Sequence, residues 1–533
     1  IVIVVATMAV YSFTDLMVAY DDAAYLSGDL VQSRVTVESA SEAIRLTLAQ
    51  PPEIRDELGG VFNNPQLFQA VTVSAGADEE TLCNFSVIAS GLSPTIGFSG
   101  IRFGLQDESA RLNINTLTVL EQNSALFDTA IALFGAVDSA DTDIPTDLGI
   151  AESLLMALPG MTEDTVDAIL DWIDEDEEAR EYGAEAEYYN SLQTAYSPAN
   201  GPLQTVEELL LVRGVTPTLL FGADVNRNGV IDADEQQRFG VTAETPGAFG
   251  WAAYLTVHGA ESNRRIDGNP RVNVNQDDLE LLYEELTDAL SNDLFASYIA
   301  AYRVGGQSSS AVGLLAGQAG GENIDQAEDG GPWSADLLSQ VDLTGGGGTS
   351  LTQILDLIDS SVTIGQGDRA RKYTSPFASD PISLALFLPS LMDSLSTQSS
   401  EVMPGRLNLN ECPAELLYGI PFLSEEMVQA LLEARSGDSD DPNRKFETWP
   451  LAEGIVTLDQ MRLLTPLWTA RGDIYRAQVI GYFEGTGISN RAEVVIDATT
   501  VNPKLIEWRD LSHLGRGFDL SVLGLRSSLA QVE

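Results

Sequence analysis

Two stretches of the 533-residue chain place side chains that could act together, and in both the chemistry is that of a hard cation held by oxygen. The first runs from Asp171 to Leu211, DWIDEDEEAREYGAEAEYYNSLQTAYSPANGPLQTVEELLL. Asp171, Asp174, Glu175, Asp176, Glu177, Glu178, Glu181, Glu185 and Glu187 crowd its front half, with Trp172, Tyr182, Tyr188, Tyr189 and Tyr196 between them and Arg180 as the nearby cation. Carboxylates this close repel unless something cationic gathers them. Ca²⁺ takes roughly six to eight such oxygens, whereas Zn²⁺ wants His or Cys, and this stretch has neither. A solvated acidic helix face has the same composition, so the stretch by itself leaves both readings open.

The second stretch is more specific. Residues 224–235, DVNRNGVIDADE, fit the twelve-residue EF-hand loop position by position. Asp224, Asn226, Asn228 and Asp232 supply side-chain oxygens at the first, third, fifth and ninth positions, Val230 a backbone carbonyl at the seventh, and Glu235 a bidentate carboxylate at the twelfth. Gly229 makes the sharp turn. The alternative is an Asn/Asp/Gly-rich turn that binds nothing.

These stretches need elements to hold them, and the chain is long enough for several cores. With 28 Lys and Arg against 80 Asp and Glu, the net charge of −52 argues against nucleic acid, which is gripped through cations on phosphates, and against a polybasic membrane patch. Cys83 and Cys412 are the two cysteines, and His258 and His513 the two histidines. A disulfide framework and a His/Cys zinc site are therefore excluded, while one long-range disulfide and two buried thiols both remain open. Asp174 and Glu185 could form an acid/base pair, but no nucleophile, His or Lys accompanies them, and no G-x-S-x-G, H-E-x-x-H or P-loop occurs, so the chain is not expected to be an enzyme.

The chain starts without Met inside an apolar run, IVIVVATMAVYSF, implying that a leader was removed or the sequence is cut. That run alone falls short of the about 20 residues of a membrane span. Leu16, Met17, Val18, Tyr20, Tyr25, Leu30, Val31, Val35, Ile44 and Leu48 continue at helical spacing as far as Pro51-Pro52, predicting one helix of about 50 residues, on the order of 75 Å long. FSVIAS and TIGFSGIRFGL read as strands, as do DIYRAQVIGYFEG, ISNRAEVVIDAT and Lys504–Trp508 near the other end. Strands at both ends of a long helical-looking region predict one small sheet with a large insertion.

Within that insertion a phrase recurs: Arg111–Asn115, Arg271–Asn275 and Arg406–Asn410 all read R-h-N-h-N before an apolar-periodic segment, with Asn as the expected helix cap. Gly turns between short helices follow at Leu158–Met161, Val212–Val215 and Tyr418–Pro421, resembling helix-hairpin-helix modules of the SAM-like kind. Glu163, Asp164, Asp167, Glu425 and Glu426 flank them where DNA-binding modules carry Lys or Arg, so a structural role is expected. Residues 305–350 (GGQSSS, GQAGGEN, DGGPW, GGGG) read as a linker.

The series DESARLNINTL, LDWIDEDEEAREYGAEAEYY and YSPANGPLQTVEELLLVRGV resembles the signature of type II (general) secretion system protein K, the large minor pseudopilin, most strongly over Asp107–Leu220. The resemblance implies an α+β fold: a pilin-like long N-terminal helix and a small antiparallel sheet interrupted by a large mainly α-helical domain. The expected divisions are an N-terminal helix at 1–50, the first part of the sheet at 51–106, an acidic calcium-bearing domain at 107–304, the linker at 305–350, a second helical lobe at 351–470, and closing strands at 471–533. It further implies calcium sites in the D-W-I-D-x-D…G-A-E block, here Asp171, Asp174, Asp176 and Glu185. The implied partners are minor pseudopilins of the I and J types, in a complex at the tip of a periplasmic pseudopilus anchored in the inner membrane, with no nucleic acid and no small-molecule substrate. The EF-hand loop, the extra R-h-N-h-N phrase and the linker lie outside that signature. A calcium-stabilised membrane-anchored adhesin or scaffold and a helix-hairpin-helix DNA-uptake component are the competing readings.

Overall fold

The computed structural model describes residues 2–74, 82–93, 97–122, 127, 148–308, 328–365, 369–435 and 441–525. Helix α1 spans Val2–Leu48, stopping just before Pro51-Pro52 as the periodicity requires. As a whole it is long and apolar enough to cross a membrane, although its opening apolar run alone is not. Its first thirty or so residues extend away from the rest of the protein with side chains exposed. Burial begins near Ser33 and follows one face through Thr36, Val37, Ala40, Ser41, Ile44 and Leu48.

That face lies on an antiparallel sheet whose strands are β1 (Val71–Ser74), β2 (Cys83–Ser93), β3 (Gly97–Phe103), β4 (Gln106–Asp107), β5 (Ile474–Phe483), β6 (Ser489–Asp497) and β7 (Lys504–Asp510). The order is β1-β2-β5-β6-β7, with β3 also on β2 and β4 also on β5. Val37, Ala40, Ile44 and Leu48 pack against Phe85, Val87, Val479, Val494 and Ile496 to form one core. Gly481 lets the helix come down onto β5, because a Cβ there would strike the carbonyl of Ser33. Cys83 is buried against the hydroxyl of Thr36 (3.0 Å), and Cys412 is buried beside Arg435 (3.1 Å); both thiols are free.

The insertion leaves after β4 and returns at β5, so the alternating strands seen at both ends of the sequence pair as one sheet. Its interior differs from the expected two lobes. A single cluster of buried apolar residues joins Leu154, Ile169 and Trp172 to Leu355, Leu391, Leu416 and Trp468. Gly419 fits so closely against Leu154 and Ala157 that the two helix pairs touch. The linker reading of 305–350 is likewise modified. GQAGGEN falls outside the described residues, but Gly306–Gln307 and Glu328–Pro332 are outer strands of a four-stranded sheet completed by Ser361–Ile364 and Arg371–Thr374.

The three R-h-N-h-N phrases occupy equivalent positions. Leu112–Asn113 pairs in parallel with Leu255–Thr256, Val272–Asn273 with Leu395–Ser396, and Leu407–Asn408 with Trp468–Thr469. In each, the first Asn turns its side-chain oxygen to the N–H two residues on (3.1, 3.0 and 2.9 Å). The second Asn is a staple across the module. Asn115 pairs with both backbone groups of Leu203, Asn275 with both of Leu351, and Asn410 holds the carbonyls of Arg444 and Ala470. Only Asn113 therefore caps a helical turn, Ile114–Thr116; Asn273 and Asn408 close turns, and the helices that follow begin later, at Leu279 behind Asp278 and at Ala414 behind Pro413.

Candidate metal centre

Helix α2 (Ile150–Met156), the turn at Leu158–Met161 and helix α3 (Glu163–Ile173) form the scaffold of the acidic stretch. Trp172 (2 % exposed) and Tyr189 (0 %) wall it from below, their rings edge-on at 5.1 Å, with Tyr196 beyond and the Trp172 indole N–H on Glu208 (3.2 Å). Trp172, Tyr189 and Tyr196 thus anchor a loop that carries little other apolar side chain, while Tyr182 and Tyr188 stay exposed.

Three of the four expected carboxylates converge here. One oxygen each of Asp174, Asp176 and Glu185 lies within 4.8 Å of the others. Asp174 Oδ1 and both oxygens of Glu185 are buried without a hydrogen-bond partner of good geometry. Burial, with the charges of Asp171 and Asp174 adding to it, pushes Glu185 up to about 7, and burial likewise raises Asp174 despite Arg180. Buried carboxylate oxygens facing one another without donors fit a hard divalent ion, which would supply the missing positive charge. Asn200, at φ 43°, donates to the carbonyl of Asp176 (2.8 Å) and keeps its own side-chain oxygen buried and unpartnered. The N-G dipeptide after Pro198 hints at the turn but not at this contact.

Asp171 stands apart from that group. It is fully buried, receives Arg180 Nη1 (2.7 Å) and the Arg180 backbone N–H (3.3 Å), and so anchors the arginine. The same Nη1 reaches Asp174 Oδ2 (2.6 Å), and Nη2 reaches Glu121 (3.1 Å), a carboxylate that sequence reasoning misses because it lies on another element. Gly183 is required beside this pair, since a Cβ would collide with Asp171 Oδ2.

The 224–235 loop closes on itself through its own side chains. Asp224 accepts from Asn228 N (3.0 Å) and Gly229 N (2.8 Å), Asn226 from Asn228 N (2.9 Å), and Asn228 from Val230 N (2.8 Å). Glu235 reaches back across it, one oxygen on Val225 N (2.8 Å) and the other on Asp232 N (3.0 Å), from the first turn of helix α4 (Ala233–Phe239). Gly229 turns at φ 76°. Burial and the neighbouring Glu235 push Asp224 up to about 6 against the two N–H donors. Each acid and amide oxygen that holds a backbone N–H keeps lone pairs for a cation, so the donor set fits calcium, with the Val230 carbonyl completing it.

A second polar group joins insertion to sheet. Glu108, fully buried, binds Arg476 and the hydroxyl of Thr256, and Arg476 continues to Glu493 (2.7 Å). Arg509 pairs with Glu207 (2.5 Å) and Glu507 (2.6 Å), and His258 with Glu507 (3.2 Å). The hydrogen bond from His258, with Arg476 and Arg509 nearby, draws Glu507 down to about 2. By contrast, the helix starts at Glu163-Asp164 and Glu425-Glu426 expose carboxylates where a phosphate would have to approach.

The long N-terminal helix packs its second half on an antiparallel sheet, with a large α-rich insertion between β4 and β5, an α+β architecture of the pilin-like kind. Residues 110–221, which include the acidic stretch, match the family model described as Type II secretion system (T2SS), protein K. No curated protein matches the chain. Among solved structures it is similar to a chain of the GspK-GspI-GspJ complex from the enterotoxigenic Escherichia coli Type 2 Secretion System, at 10% identity and a TM-score of 0.29, covering 93% of this chain and 98% of that one.

Proposed function

We propose that this chain is a tip subunit of a type II secretion pseudopilus, with α1 inserted in the inner membrane before assembly and the sheet and insertion in the periplasm. The observation that carries the reading is that a protein K segment lies inside an insertion mounted on a pilin-like helix and sheet. A body of that bulk above the sheet would leave no room for a further subunit, which makes the chain a cap and a starting point for assembly. Its partners would be minor pseudopilins of the I and J types, as in the GspK-GspI-GspJ complex. The chain's role is structural, with no chemistry of its own.

Calcium would be held at two places: by Asp174, Asp176 and Glu185 with Asn200 beside them, and by the EF-hand loop. At the first it would relieve facing carboxylates, and at the second it would fix a loop. Sites of about 10⁻⁴–10⁻³ M would suffice outside the cytoplasm. The test is co-purification of the full chain with I- and J-type pseudopilins from membranes, together with secretion by a strain lacking it. A stable ternary complex and lost secretion support the reading. A chain that purifies alone, with normal secretion by the strain lacking it, overturns the reading, and attachment to cells or surfaces by that chain would turn it to an anchored adhesin.

A further inference from the structure

The outer side of the EF-hand loop is pressed against the sheet, a contact that metal binding does not require. Arg491 on β6 is fully buried, belongs to no ion pair among the described residues, and gives its Nη2 to the carbonyls of Asn226 (2.6 Å) and Arg227 (2.9 Å). Gln478 on β5 gives its side-chain N–H to the same Arg227 carbonyl (2.5 Å). The Asn228 side-chain N–H reaches the carbonyl of Gly517 (2.7 Å), and Gly229 lies so close to Ser90 on β2 that a Cβ would collide with its hydroxyl. Consecutive loop residues thus wind the loop through side-chain oxygens on its own N–H groups and turn the backbone carbonyls of Asn226 and Arg227 outward, toward a buried guanidinium.

Resting on the calcium reading of this loop, we propose that residues 224–235 form a calcium-dependent clamp between the insertion and the sheet, with Arg491 as its counterpart on the sheet. A buried cation with no carboxylate in direct contact is costly unless acceptors are held on it. The Asn226 and Arg227 carbonyls are those acceptors, and their direction depends on the loop staying wound. With the ion gone, Asp224, Asp232 and Glu235 repel and the loop unwinds. Arg491 then loses its acceptors, and the contact opens instead of leaving the charge bare. The insertion stays tethered through Glu108 and Arg476, so calcium sets how rigidly the head is fixed to its stem.

Hydrogen exchange on the full chain in detergent, with calcium or with EGTA, tests this. Calcium should slow exchange by about 10-fold or more both in the loop and in residues 511–519, which lie on the sheet side of the contact and far from the loop in sequence. In Arg491→Met the loop should still respond while 511–519 does not. Where that variant fails to fold, Glu235→Gln serves: in calcium its 511–519 segment should exchange as the unaltered chain does in EGTA. A loop that responds to calcium beside an unresponsive 511–519 in the unaltered chain overturns the clamp and leaves calcium binding intact. A loop that does not respond at all removes the calcium reading of the loop, and the clamp with it.

Discussion

Replacing Glu185 by Gln should act in opposite directions with and without calcium. In the chelated protein the Glu185 carboxylate is held at about 7, against an ordinary 4.5, by burial and by Asp171 and Asp174. The folded apo chain therefore binds more protons than the unfolded chain between those values, and stability falls as pH rises from about 4.5 to about 7. At about 1.4 kcal/mol per unit the full effect would be about 3.5 kcal/mol, and solvent near the exposed Asp176 reduces it to about 1–3 kcal/mol. Glu185→Gln removes that penalty, so at pH 7.5 in EDTA the variant should be the more stable, by roughly 2–4 °C in melting temperature per kcal/mol. In saturating calcium the order should reverse, because a charged oxygen ligand has been lost and affinity should drop by about 10-fold or more. The linked prediction is that calcium affinity of the unaltered chain rises with pH up to about 7 and then levels off, as binding displaces the Glu185 proton. Thermal melts in EDTA and in calcium, at pH 5.5 and 7.5, read all of this. A Glu185→Gln variant less stable than the parent in EDTA at pH 7.5, with unchanged calcium response, would refute the reasoning.

Three further outcomes are expected. Gly183→Ala should destabilise by about 1–3 kcal/mol, because its methyl group displaces Asp171 from Arg180, and denaturant melts of the insertion should report the loss. Asn275→Ala should cost about 1–3 kcal/mol by stripping both backbone groups of Leu351 of their partner, measurable as a lower denaturation midpoint, whereas Asn275→Asp should recover only the N–H half. Glu507, drawn down to about 2, contributes stability that is present above about 4.5 and is lost as pH falls toward 2. Glu507→Gln should therefore shrink the stability difference between pH 7 and pH 3 by about 1–3 kcal/mol in urea titrations, and an unchanged difference would count against the His258 and Arg509 contacts.

The sequence revealed what local pattern controls. The 3.6-residue period of α1 and the alternation in β2, β5 and β6 are properties of single segments, and so is the sharp turn of the 224–235 loop at Gly229. Pairing across distance was not visible. The four-stranded sheet around Tyr373 uses Gly-rich segments that look like linker until Ser361–Ile364 pairs with Arg371–Thr374. The single core was equally hidden, because the contact of Gly419 with Leu154 leaves no trace in either segment. At the site, side-chain types identified the acids but not their roles. Asp171 and Asp174 share one helix end and one Arg180 nitrogen, yet only Asp174 gathers with Asp176 and Glu185, while Asp171 also takes the Arg180 backbone N–H. Asn200 contributes through a backbone turn from outside the acidic run, which composition does not signal.

The most direct test of the central idea, that divalent ions gather the acids of the insertion, is equilibrium dialysis of the full chain against calcium with metal analysis of the protein. The calcium proposal predicts two ions per chain, one lost on Glu235→Gln and the other on Asp174→Asn combined with Glu185→Gln. A chain that retains no calcium at several millimolar, or whose bound calcium is unaffected by these substitutions, would contradict it.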